Sequence, residues 1–308
     1  MNRYDIQATP YRGRFAPSPT GPLHFGSLVA AVGSYVDARA QGGAWLLRID
    51  DIDAPRSAAG AAEAILRTLE RFGFAWDGAV AWQSLRIARY RAAFERLRLA
   101  EAVFACTCTR REVADSALGP TSGLRYPGTC RAGLAPGRAA RAWRFRVESG
   151  EICFEDALQG HYSLDVAAAV GDFVVWRADG LFAYQLAAVV DDAEAGITHV
   201  VRGADLLDST PRQILLQRRL GYPTPSYLHL PAALNGVGEK LSKQTQARPL
   251  DESRPVLALC DALAFLGQYP PVALRDADLD ALWHWAIANW QRDKLPRCRS
   301  VVAPQAYC

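Results

Sequence analysis

The chain has 308 residues, 50% apolar and 22% charged. That is the composition of a globular protein whose core is large enough to need no disulfide framework. Its 35 basic and 32 acidic residues leave a net charge of +3, which neither demands nor excludes a nucleic-acid partner. No continuous apolar stretch has the length of a membrane-spanning helix, and residues 1–10 carry no apolar signal segment, so a cytoplasmic protein is expected.

The length predicts two or three domains. Tyr11–Ala16 reads as a short strand, followed by the loop Pro17-Ser-Pro-Thr-Gly-Pro22. Ser27 to Arg39 carries Leu28, Ala31, Val32 and Tyr35 on one stripe and reads as a helix. Ala44–Ile49 is almost wholly apolar, as in a buried parallel strand. Two helices follow, one carrying Ile65, Leu66, Leu69 and Phe72 and closed by Gly73, the other from Arg86 to Ala100. The alternation predicts an α/β fold with a doubly wound, Rossmann-like parallel sheet.

The pattern changes between about Phe104 and Phe173, where cysteines and a Gly/Pro/Arg-rich stretch precede short strands such as Ala142–Val147. This segment reads as an inserted α+β domain. Beyond it, Phe173–Arg177 and Leu181–Val190 flank an Asp179-Gly180 turn and read as a hairpin. Thr198–Val201 reads as a buried strand, and a helix with Pro211 in its first turn ends at Gly221. The aromatic run Leu282–Trp290 reads as helical. The expected division is 1–104 and 173–250 as two halves of one catalytic domain, 105–172 as the insert, and 251–308 as a short helical tail.

Four groups of residues carry chemistry. A loop that leaves a strand and opens a helix offers free N–H groups and a positive dipole end to a phosphate. Here His24 stands at the helix entrance and Gly26 permits close approach. The second group is Lys240-Leu-Ser-Lys243. Only three lysines occur, the third being Lys294, against 32 arginines. Two ammoniums within four residues point to phosphate chemistry that a planar guanidinium does not perform. The third is Cys106, Cys108 and Cys130, whose spacing suits one structural zinc. Tyr126, water or another side chain completes that tetrahedron. The fourth is dispersed: Arg14, Asp50, Tyr184 and Arg202, of which Arg14, Asp50 and Arg202 lie on or at the ends of predicted strands, where α/β sheets bind ligands. Asp50-Asp51-Ile-Asp53 reads either as a magnesium site or as solvated strand-end charge.

Together these motifs resemble the glutamyl subclass of class I aminoacyl-tRNA synthetases. Arg14-Phe-Ala-Pro-Ser-Pro-Thr-Gly-Pro-Leu-His-Phe-Gly-Ser27 resembles the extended HIGH region, with Ser27 at the second histidine's place. Lys240-Leu-Ser-Lys-Gln244 resembles the KMSKS loop, and Leu47-Arg-Ile-Asp-Asp-Ile-Asp53 and Gly203–Gln213 resemble two further family segments. The resemblance covers about residues 11 to 250. It implies activation of glutamate by ATP with Mg²⁺, with His24 and Lys243 as catalytic residues and His24, Gly26, Ser27, Lys240 and Lys243 on ATP. It implies a glutamate site of Arg14, Phe15, Ala16, Pro17, Ser18, Asp50, Tyr184 and Arg202. Arg14 would take the side-chain carboxylate, Arg202 the α-carboxylate and Asp50 the ammonium, although Asp50 is one methylene shorter than the family's glutamate. The segment Tyr126-Pro-Gly-Thr-Cys130 resembles that of a subgroup with a Cys106, Cys108, Tyr126, Cys130 zinc site. Only 65 residues follow the lysine loop, too few for a large anticodon-reading body. The subgroup forms glutamyl-adenylate without tRNA and esterifies queuosine, the modified wobble base of tRNA(Asp). A monomer is expected. Two other readings compete: a truncated enzyme that charges a tRNA 3′ end, and a catalytically silent zinc module that binds RNA.

Overall fold

A computed structural model describes residues 10–115, 125–241 and 247–307. Its strands are β1 (Arg12–Phe15), β2 (Ala44–Ile49), β3 (Ala81–Trp82), β4 (Val103–Cys106), β5 (Ala142–Phe145), β6 (Glu151–Asp156), β7 (Gly160–Asp165), β8 (Phe173–Trp176), β9 (His199–Gly203), β10 (Ser226–Leu230), β11 (Ala232–Leu234) and β12 (Ser300–Val302). Its α-helices are α1 (Phe25–Ala40), α2 (Ala61–Arg71), α3 (Ile87–Leu99), α4 (Arg110–Asp115), α5 (Val166–Ala169), α6 (Tyr184–Glu194), α7 (Thr210–Leu220), α8 (Pro255–Phe265) and α9 (Leu279–Ala288).

Strands β1, β2 and β3 pair in parallel in that order. On the other side β9 pairs in parallel with β10, and β10 with β6. β1 lies alongside β9, where the Thr198 N–H donates to the Arg12 carbonyl at 3.0 Å. The chain thus runs outward in both directions from a switch point between β1 and β9. A crevice opens at the carboxyl ends of such strands, here at Phe15 and Gly203. Helices cover both faces. One core packs α1, α8 and α9 against the sheet around Trp45, Leu47, Phe72 and Leu263; the other gathers α3, α6 and α7 around Tyr90, Leu186, Ile214 and Tyr227. Gly33 lets α1 press on Leu230 of β10, since a Cβ there would collide with that leucine.

Segment 105–172 is woven into this frame. Its β6–β7 hairpin extends the parallel sheet through Asp156 and Tyr227, and Phe145, Ile152 and Val166 share the second core with α6 and α7. β4, β5 and β8 make a small antiparallel sheet. The C-terminal segment adds a strand as well as helices, because β12 pairs in parallel with β11. Its attachment is partly polar. Asp37, fully buried in α1, accepts hydrogen bonds from Tyr11, Trp290 and Arg292, with Arg292 bidentate at 2.6 and 2.8 Å.

One expected element is replaced. The strand at Leu181–Val190 is only a bridge between Trp176 and Phe182, after which Tyr184–Glu194 is helix α6. This helix is buried nearly all round, from Gln185 to Asp192. Its Val-Val pair therefore mimicked a buried strand.

The longest run without Asp, Glu, Lys or Arg, residues 15–36, is divided between the Pro-rich loop and α1. Among the described residues no helix is long and apolar enough to cross a membrane.

Candidate active site

The crevice holds a cavity of about 920 Å³. Arg14 and Phe15 enter it from β1, and Ala16, Pro17 and Ser18 from the following loop. His24, Gly26 and Ser27 line it at the start of α1, and Tyr184, Arg202 and Lys240 complete the expected set. Lys243 lies outside the described residues. Asp50 is not on the cavity wall. Its carboxylate is held by Arg48, with Nε–Oδ1 at 2.6 Å and Nη2–Oδ2 at 3.3 Å.

His24 is the N-cap of α1. Its Nδ1 accepts the Ser27 N–H at 3.3 Å, which turns the rest of the ring outward from the helix start. Gly26 serves this histidine. A Cβ at position 26 would stand 3.2 Å from His24 Cε1 and 3.3 Å from Nδ1. Lys240 is paired with Asp205 across the cavity mouth.

Behind the pocket lies a buried charge network. Arg14 donates through Nε and Nη2 to Asp192 at 3.1 and 3.2 Å, and Arg48 reaches the same carboxylate at 2.6 Å. Burial alone would raise the Asp192 pKa, but the two guanidiniums outweigh it and hold the group at about 2. Asp50 goes the other way: burial raises it despite Arg48. Asp191, 2% exposed, accepts from Arg86, Gln83 and Tyr90. The network fixes Arg14 from behind.

Arg202 is held differently. Its Nε donates to His229 Nε2 at 3.1 Å, Nη2 to Thr210 at 2.8 Å, and Nη1 to the Tyr184 hydroxyl at 3.5 Å. His229 in turn meets Asp156 Oδ2 through Nδ1 at 2.6 Å. Burial lowers the His229 pKa to about 4, with Arg202 adding to the effect and Asp156 opposing it.

Asp50, Asp51 and Asp53 do not converge. Asp51 accepts from Ser84, and Asp53 accepts from Arg56 and Arg177. The magnesium reading of this acidic run therefore falls. Its residues organise neighbouring elements instead.

Among the described residues the one grouping of His, Cys, Asp or Glu ligand atoms is Cys106, Cys108 and Cys130, whose sulfurs lie within 4.8 Å of one another. The Tyr126 hydroxyl lies 3.6 Å from Cys106 Sγ and 4.0 Å from Cys108 Sγ, and Cys108 lies 3.6 Å from Cys130. Tetrahedral zinc with bonds of about 2.3 Å to sulfur sets its sulfurs roughly 3.8 Å apart, so the donors fit. Arg144 donates to Cys106 at 3.3 Å and lies 3.8 Å over the Tyr126 ring.

Sequence reasoning gave no role to Arg48, Asp156, Asp192, Thr210 or His229, although Arg48 and Thr210 lie within the family-like segments 47–53 and 203–213. The available signal was charge inside apolar elements: Arg48 within β2, Asp192 within α6 and His229 within β10.

Residues 11–255 match the family model described as "tRNA synthetases class I (E and Q), catalytic domain". The chain is 61% identical over 303 residues to a glutamyl-Q tRNA(Asp) synthetase of Aromatoleum aromaticum, covering 98% of this chain and 96% of that one. It is 58% identical to the protein of that name from Dechloromonas aromatica, over 96% of this chain and 99% of the relative. Among solved structures, a glutamate tRNA ligase from Elizabethkingia meningosepticum superposes with a TM-score of 0.79 at 26% identity, over 97% of this chain and 68% of that one.

Proposed function

The chain belongs to the class I tRNA synthetases of the glutamyl and glutaminyl type, and from that premise we propose that it activates L-glutamate with ATP before any tRNA binds, then passes the glutamyl group to queuosine in tRNA(Asp). The observation that carries the substrate is the pair of buried arginines in one cavity, Arg14 and Arg202, at the ends of the two strands flanking the switch point. Two fixed guanidiniums match a dicarboxylic amino acid. For the acceptor, the reading is supported by near-full-length similarity to glutamyl-Q tRNA(Asp) synthetases.

The two arginines are not equivalent. Arg14 already shares its charge with Asp192, whereas the groups that Arg202 bonds among the described residues, His229, Tyr184 and Thr210, are neutral. An amide placed on Arg202 would leave a buried cation uncompensated, so Arg202 is the better group to refuse glutamine. Arg14 leads directly into the loop that ends at His24. We therefore assign the side-chain carboxylate to Arg202 and the α-carboxylate to Arg14, the reverse of what the family resemblance implied. With Asp50 tied to Arg48, its proposed part is to set Arg48, and through it Asp192 and Arg14. The ammonium then needs a bridging water or another acceptor.

In the first step an oxygen of the α-carboxylate attacks the α-phosphorus, the bond to the bridging oxygen breaks and pyrophosphate leaves. His24, together with Lys240 and Lys243, neutralises charge on the phosphates, while the loop and Arg14 hold the nucleophile in line. Gly26 and Ser27 border the phosphates at the helix start, and Mg²⁺ accompanies ATP. In the second step a hydroxyl of the queuosine cyclopentenediol attacks the adenylate carbonyl and AMP leaves.

Cys106, Cys108, Tyr126 and Cys130 would hold one zinc, which supplies folding energy to a loop-rich segment rather than chemistry. The boundaries 1–104, 105–172, 173–250 and 251–308, a monomeric state and a cytoplasmic location belong to the same proposal. Glutamate-dependent ATP–pyrophosphate exchange without tRNA tests it: exchange supports the reading, and its absence with active, folded protein contradicts it.

A further inference from the structure

Arg202 needs an exact pose, yet among the described residues no acid pairs with it. Its Nε is held by His229, which is fully buried, and His229 is held by Asp156, which is 4% exposed. The Asp156 carboxylate is itself fixed, because it accepts the backbone N–H groups of Leu158, Gln159 and His229. Gln159 anchors this turn by donating to the carbonyls of His229 and Cys298. Asp156 thus stands at the tip of a hairpin bound to β10 and to the C-terminal segment.

An imidazole with its proton on Nδ1, given to Asp156, presents only a lone pair at Nε2. That lone pair is the acceptor that Arg202 Nε–H requires. We infer that His229 is a positioning residue for substrate recognition: oriented by Asp156, it fixes the Arg202 guanidinium in the cavity without neutralising its charge. A carboxylate at the place of His229 would fix Arg202 equally well but would satisfy the charge meant for the substrate. An apolar residue would leave the charge intact but let the guanidinium swing. The neutral acceptor does both tasks, and the tautomer is dictated by Asp156 rather than by Arg202.

The inference rests on the proposed role of Arg202, so its test has one readout with substrate and one without. The variants are His229→Phe, which removes the acceptor, and His229→Gln, which returns an amide oxygen close to Nε2. In pyrophosphate exchange, His229→Phe should raise the glutamate KM by about tenfold or more, as for loss of a hydrogen bond to a charged group. It should narrow the preference for glutamate over glutamine and leave the ATP KM within about twofold. His229→Gln should recover most of the loss. The second readout is ¹⁵N NMR of free protein. A single Nδ1–H tautomer for His229 and a slowly exchanging Arg202 Nε–H are expected in the wild type, the latter lost in His229→Phe and kept in His229→Gln. Equal changes in both KM values, or no difference between the two variants, would overturn the inference. So would an Arg202 Nε–H that exchanges freely in the wild type. If wild-type protein does not exchange with glutamate, the functional reading fails, while the NMR arm still decides whether His229 holds Arg202.

Discussion

The crevice and the cysteine cluster solve opposite problems. In the crevice the protein brings charges of both signs together and pairs them from its own side chains: Arg14, Arg48 and Arg86 against Asp50, Asp191 and Asp192, with a large core on each face of the sheet. Among the described residues the cluster brings together groups of one kind, three sulfurs and a phenol, on a small core of Phe104, Cys106, Val113, Tyr126 and Cys130 flanked by Cys108 and Leu134. Buried oppositely charged groups hold one another and leave an aimed guanidinium ready for a ligand. Buried donors of one kind have little reason to stay together until a cation joins them. On the proposed reading the crevice works from a self-sufficient frame, whereas the cluster would borrow its stability from a bound metal.

The largest effect should come from taking away what the cluster borrows. Purified protein should contain one zinc per chain, and a strong chelator should expose residues 104–141 to proteolysis while the sheet persists by circular dichroism. Protein without zinc that resists proteolysis there would erase the contrast. Next is Arg202→Ala, expected to lower glutamate-dependent exchange by about a hundredfold or more with little loss of secondary structure. Removing one partner of a buried charge pair typically costs about 3–5 kcal/mol. Arg14→Ala should be comparably inactive but lose more stability, because it also leaves Asp192 with Arg48 alone. Equal melting temperatures for the two variants would contradict the asymmetry drawn between the arginines.

A third test is pH. The folded His229 pKa of about 4 lies below its ordinary 6.5. The unfolded chain therefore binds the extra proton first. The contribution is full above about pH 6.5 and lost as pH falls toward 4, on the order of 3 kcal/mol in all. Asp192, at about 2, adds a later loss that begins near pH 5 and falls mostly below pH 4. Chemical denaturation from pH 7 to 4 should show the first limb in wild type and a flatter profile in His229→Gln. The smallest effect is expected for Gly26→Ala. The new methyl must displace the His24 ring by a few tenths of an ångström, so turnover should fall a few-fold with the melting temperature nearly unchanged. Unchanged turnover would mean that Gly26 serves only the backbone.

Local pattern revealed most of the frame. Ala44–Ile49 was legible as a strand because parallel strands are apolar on both faces. The end of α7 was legible because Gly221 adopts the left-handed conformation. Helix α6 was misread because burial on all sides erases helical periodicity. Eleven of the expected pocket residues line one cavity: eight belong to the single strand–loop–helix motif 14–27, and Tyr184, Arg202 and Lys240 are brought to it by the fold. The groups that hold those residues were not legible. His229 lies 27 residues from Arg202 and Asp156 lies 73 from His229, so only the fold brings them together. The same holds for Asp192, which is 178 residues from Arg14. A polar residue in an apolar element was the available sign, and it does not name its partner.

The central claim concerns the acceptor. Labelled glutamate, ATP and the protein should be incubated with tRNA(Asp) carrying queuosine and with the same tRNA carrying guanosine at that position. Each should be tested with and without its 3′-terminal adenosine. The account predicts incorporation only into the queuosine-containing tRNA, unchanged when the terminal adenosine is removed. Incorporation that requires the 3′ adenosine and ignores queuosine would contradict it.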